Sequence, residues 1–516
     1  MVEKVVIDGH SLTLEGLVAV ARQDVPVEVP REVLARVRAN REVLEKLVEE
    51  GLRCYGVNTG LGPLSHVLLG PEEAEDLQEN MVKSHATGVG MPFPPDVVRA
   101  AMLLRANTLA KGHSGIRPEV LERLVVMLNT RAHPVVPSRG SVGASGDLVP
   151  LAHMALAVIG SPYGLMELKG EVRRADEALR ELGLGPLKLS YKEGLALVNG
   201  TSFSTAVLAL TVHDAVLLAK AADAALVMSL EAVGGRMAPF DPGYLSLRSF
   251  RGQAECAENV RKLVEGSELI EHPGLRRAQD PYCVRCAPQV HGAAREAIQF
   301  ARSLVEVELN SADDNPLIFD EEPSCRTGGN FHAQPIALAS DVLAIGLCTF
   351  GNISERRTCF LLMGRENELL PDFLVPPGGK IGLQSGLMLA QYTAAALAAE
   401  NRSLCCPTSV QNIPTGANFE DVVSMSMAAA LKARQVLENT ARVLAVEFLC
   451  AFQALWLRGP EKAGRGTRAA YDFLSSQGLR PLKDDRPTGH DVERIAGLLL
   501  NGQLVSAVEE AVGGLA

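Results

Sequence analysis

Three long stretches of this sequence contain no proline: Leu187–Ala238, Ile336–Leu370 and Thr415–Gly459. Proline removes a backbone donor and clashes with the preceding turn, so such stretches leave room for long unbroken helices. Apolar residues inside them fall three and four apart. Ser204–Val233 carries Val207, Leu210, Val216, Leu217 and Ala221 on that spacing. Phe419–Leu457 repeats it through Val423, Met427, Ala430, Leu431, Val436, Val443, Val446 and Leu449. At about 1.5 Å per residue these helices would run ~45–55 Å, several times the usual length. Rods of that length argue for a helical bundle shared between subunits. Aromatic residues make up 4% of the chain, so the core must be Ala, Leu and Val, which suit closely packed helices.

The first third reads differently. Glu32–Gly51 and Glu72–Lys83 have short helical patterns, joined by the Gly-rich links Gly56–Gly62 and Gly88–Pro95. This predicts a smaller N-terminal head over residues 1–110 and an extended helical domain over 111–516, closed by a C-terminal cap with helix from Asp491 to Val512. The expected fold is mainly α.

Charge excludes several functions. The net charge of −11, with no Lys/Arg block, argues against nucleic acid or an anionic membrane as partner. The most apolar stretch, Phe203–Leu230, carries His213, Asp214, Lys220 and Asp223, which are costly in lipid. Glu3, Lys4, Asp8 and Glu15 interrupt Met1–Leu17, against a signal peptide. The ten cysteines are scattered rather than dense, as in a reduced cytoplasmic protein.

The most informative segment is Gly140-Ser-Val-Gly-Ala-Ser-Gly-Asp-Leu-Val-Pro-Leu-Ala-His153. One reading is a Gly-rich loop opening a helix, with Ser145 or Asp147 as cap and Pro150 in the first turn. A phosphate loop is a poorer match, because neither a Walker Lys-Ser/Thr nor GxGxxG spacing is present. The third reading is chemical. Gly146 has no Cβ, so its nitrogen can fold back onto the Ala144 carbonyl. Ring closure with loss of two waters would turn Ser145 into an electrophilic exocyclic methylene, polarised by the helix start.

Gly140–Ala152 resembles the signature of the histidine ammonia-lyase branch of the aromatic amino acid lyases, and further landmarks recur in order along nearly the whole chain. The resemblance implies a fumarase/aspartase-like helical fold. It also implies a 4-methylidene-imidazol-5-one made autocatalytically from Ala144, Ser145 and Gly146, with no metal and no exchangeable organic cofactor. A homotetramer whose sites draw residues from three subunits is implied as well.

The same resemblance suggests roles, each beside a plainer reading. Tyr55, in Tyr55-Gly-Val-Asn-Thr-Gly-Leu-Gly62, is either part of a mobile surface turn or a candidate base, the latter only with a phenol pKa lowered by neighbouring charge. His85 is either a satisfied polar residue or, with Ser84, the selector of an imidazole substrate. Gln279, Tyr282 and Arg285 recur at intervals of three, which in a tight turn puts them on one side. Arg285 then anchors the substrate carboxylate as a bidentate clamp, with Tyr282 and Gln279 near the prosthetic group. Asn199 is either a helix-cap residue or a partner of the prosthetic ring and the substrate. Asn315 supports substrate binding and Phe331 lines the pocket, while Met388 serves as pocket wall or as core. Glu420 is expected in the first turn of the longest helix, kept ionised by the helix dipole, against the substrate imidazole or its β-proton.

Cys283-Val-Arg-Cys286 has metal or redox spacing but no second ligand pair, and the resemblance places it in the substrate site. The implied reaction is elimination of ammonia from L-histidine to trans-urocanate, the first step of histidine degradation. In it the substrate amine adds to the methylene, and either Tyr55, the first choice, or Glu420 removes the β-proton. Ser202, Phe419 and Val422 depart from the family pattern, and Lys380 lengthens a loop. These departures keep another aromatic or modified histidine substrate open. The same prosthetic group would also serve a 2,3-aminomutase. Outside enzymes, the chain could be an inactive helical scaffold.

Overall fold

The computed structural model describes residues 3–516. Of the chain, 59% is helical, as the mainly α expectation requires. Two compact units emerge. The first comprises the chain up to Leu210, Arg302–Asp341 and Pro407–Leu431; the second comprises Thr211–Ala301, Val342–Cys406 and Lys432–Ala516. The boundary read from sequence at residue 110 falls inside the first unit.

The first unit is built around the helix Pro95–Ala110, buried at every position from Val97 to Ala110. Proline opens this helix and its neighbours Pro71–His85 and Pro118–Asn129, where the missing N–H costs nothing. Buried arginines of this unit draw on carbonyls as well as carboxylates. Arg99, for example, donates to Val20 O at 2.8 Å and Leu128 O at 3.1 Å. Short β ladders complete the unit, including Val89–Pro92 antiparallel to Pro137–Arg139, which feeds directly into the Gly140 loop. Three helices pack on one another here: Pro71–His85, Leu148–Val158 and Glu193–Val198. The first ends at His85, the second begins just after Ser145, and the third ends just before Asn199. Their packing delivers three candidate site residues to one place.

Three long helices match the proline-free reading, Ser202–Ala232, Gln334–Leu362 and Ser426–Arg458, of 31, 29 and 33 residues, and a fourth of 22 residues, Ala287–Glu308, lies outside it with a proline in its first turn. The longest starts at Ser426, not at Phe419 as the periodicity predicted. Met425 takes a left-handed φ of 56° and ends the irregular segment before it. The expected helix over Asp491–Val512 is two, Gly489–Leu500 and Gln503–Val512, bent by 64° where Gly502 has a φ of 74°.

Ser202–Ala232, Gln334–Leu362 and Ser426–Arg458 are long and apolar enough to cross a membrane, yet 83, 72 and 83% of their most apolar windows are buried within the protein. The second unit also buries charge. Arg357 meets Glu447 at 2.6 and 2.9 Å, both side chains fully buried, and Ser229 donates to the same carboxylate at 2.7 Å. Asp223 receives His291 Nδ1 at 2.7 Å, Arg295 at 2.5 Å and Asn259 at 2.9 Å. Burial alone would raise the Asp223 carboxyl, but Arg295 and His291 hold it well below the usual range.

Candidate active site

The loop before Leu148–Val158 is shaped by what it lacks. Gly143 and Gly146 have φ of 75° and 80°, and a Cβ on either would collide, with the Ser424 hydroxyl and the Gly200 carbonyl respectively. The Gly200 carbonyl accepts from the Asp147 amide at 2.7 Å, and Gly146 bridges to Gly200. Ser145 itself has a left-handed φ of 52°. The Asp147 side chain makes no cap bond to the helix. It accepts instead from the Ser204 amide at 2.7 Å and hydroxyl at 2.9 Å, which corrects the capping reading. Complete burial pushes the Asp147 carboxyl up to about 6 against those bonds.

Segment 199–201 is braced from behind. Arg105, fully buried, donates to the Asn199 carbonyl at 2.5 Å and pairs with Asp313, which accepts from the Thr201 amide at 2.7 Å. The Asn199 side chain donates through Nδ2 to the Ser145 carbonyl at 3.1 Å, while its Oδ1 is buried without a partner. One N–H of Asn199 is thus committed to the Ser145 loop, and its acceptor is left for a ligand. Thr201 Oγ1 also reaches Glu308 at 2.5 Å, and burial with Asp313 nearby raises the Glu308 carboxyl to about 7.

Ala144 and Ser145 open onto a cavity of about 880 Å³ that is also lined by Tyr55, His85, Asn199, Asn315, Phe331 and Glu420. Ser145 Oγ donates to Glu420 Oε1 at 3.2 Å, and Thr415 Oγ1 donates to Glu420 Oε2 at 2.8 Å. Glu420 therefore reaches Ser145, but from a loop six residues ahead of the long helix. The expected place in a first helical turn is not where the carboxylate sits, and two hydroxyl groups hold it instead. The Ser84 hydroxyl donates to the Met81 carbonyl at 3.2 Å and lies 3.1 Å from His85 Nδ1. Which of the two carries the shared hydrogen depends on the imidazole tautomer. Burial lowers the His85 pKa and keeps the imidazole neutral. Tyr55 accepts the Gly62 amide at 2.9 Å. Burial pushes the Tyr55 phenol up, opposed by Gly62 and aided by Glu420, the reverse of the lowering that the sequence reading required. Asn315 Oδ1 accepts the Gly328 amide at 2.8 Å, which ties it to the Phe331 loop.

Gln279, Tyr282 and Arg285 line one cavity together, in keeping with their spacing, but it is a different one. It measures about 990 Å³, lies in the second unit and shares no lining residue with the Ser145 cavity. There the Arg285 guanidinium sits 4.5 Å from the Tyr282 ring centre, with Nε buried and unpartnered. Cys283 and Cys286 line the same cavity, and burial pushes the Cys283 thiol up to about 11. Met388 opens the helix Met388–Leu404 and lines neither cavity. Of the departing residues, Phe419 and Val422 line the Ser145 cavity, while Ser202 is buried with its hydroxyl unpartnered. Sequence reasoning missed Thr415, Arg105 and Asp313. Pro414-Thr415-Gly416 is a turn signal that pointed to the first, and no local signal marks the other two.

In this mainly helical chain a Gly-braced Ala-Ser-Gly turn faces a carboxylate and an imidazole, and comparison with known proteins identifies the class of enzyme. The chain belongs to the aromatic amino acid lyase family, whose sequence model matches residues 12–476. It is 49% identical over 507 residues to the histidine ammonia-lyase of Symbiobacterium thermophilum, covering 98% of this chain and 99% of that one. Among solved structures, a tyrosine aminomutase from Streptomyces globisporus superposes with a TM-score of 0.94 at 37% identity, covering 99% of this chain and all of that one. A histidine ammonia-lyase from Trypanosoma cruzi gives 0.90 at 38%, covering 99% and 96%. The fold is the fumarase/aspartase-like one expected from sequence.

Proposed function

We propose that this protein is a carbon–nitrogen lyase that eliminates ammonia from L-histidine to give trans-urocanate. The observation that carries the reading is the meeting of Ser145, Glu420 and His85 in one cavity. Ala144, Ser145 and Gly146 fit the precursor of a 4-methylidene-imidazol-5-one: the glycine cradle excludes any Cβ, and Asn199 offers a donor to Ser145 and an unpartnered Oδ1. That group, once formed, supplies an electrophilic carbon for the substrate amine. No metal and no exchangeable organic cofactor enters this chemistry.

The chain's own residues do the rest. His85 hydrogen-bonds the substrate imidazole, and Glu420 Oε1 faces the ring or its β-proton. Tyr55 Oη takes the β-proton, with the Gly62 amide stabilising the phenolate. Arg285 holds the carboxylate, aided by Tyr282 and Gln279. Because those three line another cavity of this chain, the reading includes a homotetramer with sites assembled from several subunits. Its ten cysteines are all free, which supports a cytoplasmic setting.

The test is an assay of the purified protein on L-histidine, L-tyrosine and L-phenylalanine, following the ultraviolet absorbance of each unsaturated acid, with intact mass alongside. Urocanate from histidine alone, and a mass two waters light, is the expected result. Silence on all three with the two waters missing would move the substrate to a modified histidine, with Phe419 and Val422 as the residues responsible. Likeness to a tyrosine aminomutase at a TM-score of 0.94 sustains a second reading, in which the amine returns to the β-carbon. A β-amino acid among the products would establish it.

A further inference from the structure

Glu420 is held by an unusual loop. Gly416, Ala417 and Asn418 are successively left-handed, with φ of 54°, 53° and 65°. That region is unfavourable for a residue with a Cβ, so the loop needs external fixing. Thr415 supplies it three times. Its amide donates to the Glu420 carbonyl at 3.0 Å, its carbonyl accepts from the Glu420 amide at 3.3 Å, and its hydroxyl donates to Glu420 Oε2 at 2.8 Å. Beyond Glu420, Asn412 grips the chain again. Its Nδ2 donates to the Asp421 carbonyl at 2.7 Å, and its Oδ1 accepts the Val423 amide at 2.9 Å. Backbone and side chain of Glu420 are thus fixed from separate residues.

The side-chain bond divides the work of the carboxylate. Oε2 is occupied by Thr415, and Oε1 is the oxygen turned to Ser145. Thr415 does not itself line the cavity. We propose that Thr415 is a positioning residue, whose hydroxyl holds the Glu420 carboxylate in one rotamer so that Oε1 alone meets the substrate. The inference rests on the role given to Glu420 above.

Thr415→Val keeps the shape and removes the hydroxyl. Losing one hydrogen bond to a charged group should lower kcat/KM for L-histidine ~10-fold, mainly through a raised KM, with the melting temperature nearly unchanged. Thr415→Ser should restore the hydroxyl and bring activity back to within ~3-fold of wild type. In a Glu420→Gln background, Thr415→Val should add little, because the two act as one unit. Thr415→Ala stands in should the valine variant fold poorly. A fully active Thr415→Val or Thr415→Ala, beside a crippled Glu420→Gln, would overturn the assignment of Thr415. A fully active Glu420→Gln would overturn the underlying reading of Glu420 instead.

Discussion

Gly146 and Gly200 lie so close that no side chain fits between them: a Cβ on Gly146 would overlap the Gly200 carbonyl, which is already held by the Asp147 amide at 2.7 Å. The turn that carries Ser145 is therefore fitted against the end of a neighbouring helix, and its tolerance for added atoms is nil.

Gly146→Ala should consequently leave the protein unable to mature. A left-handed alanine costs about 1–2 kcal/mol before the clash is counted. The expected outcome is an intact mass without the loss of two waters and histidine turnover at background. Mass spectrometry beside the activity assay checks it.

Tyr55→Phe should keep the fold and lose the rate. Removing a general base lowers kcat by roughly 10²–10⁴-fold. Burial raises the Tyr55 phenol, so the wild-type rate should climb with pH on the acid side of that pKa, as the phenolate fraction grows. The phenylalanine variant should lack this climb, which a pH profile of kcat/KM would show.

Glu308 should leave a signature in stability. Its carboxyl, raised from 4.5 to about 7, stays protonated in the folded chain after the unfolded chain has ionised. Its contribution is complete below about pH 4 and is lost as pH rises through about 7, on the order of 3 kcal/mol at most. The stability difference between wild type and Glu308→Gln should fall across that window and stay flat above it. Denaturant titrations at several pH values measure this.

Arg357→Met should strand Glu447 in the interior of the second unit. Removing one partner of a buried ion pair costs about 3–5 kcal/mol, whereas replacing both by apolar groups is often tolerated. The melting temperature should drop sharply for the single variant and recover in large part for Arg357→Met with Glu447→Leu.

The long helices were legible because proline and apolar periodicity are local properties of the chain. So was the Ala144-Ser145-Gly146 turn, whose chemistry depends on adjacent residues. The start of the last long helix was not, because the apolar spacing from Val423 to Met427 runs on through a segment broken by the left-handed Met425. Glu420 lines the Ser145 cavity, but its surroundings differ from those expected, since Thr415 and the loop replace a helix end. The brace of Arg105 and Asp313 is invisible in sequence for a simpler reason: its members are 208 positions apart.

Ser145 and Arg285 line different cavities of the same chain. On the shared-subunit assembly proposed above, that gives the gene an unusual property. Two silent alleles, Ser145→Ala and Arg285→Met, should rescue one another when co-expressed, because mixed assemblies can contain sites with both residues intact. Either allele alone, expressed with the normal one, should depress activity only in proportion to its share of the chains, because each chain gives one Ser145 and one Arg285. Specific activity should also fall on dilution, once subunits begin to part.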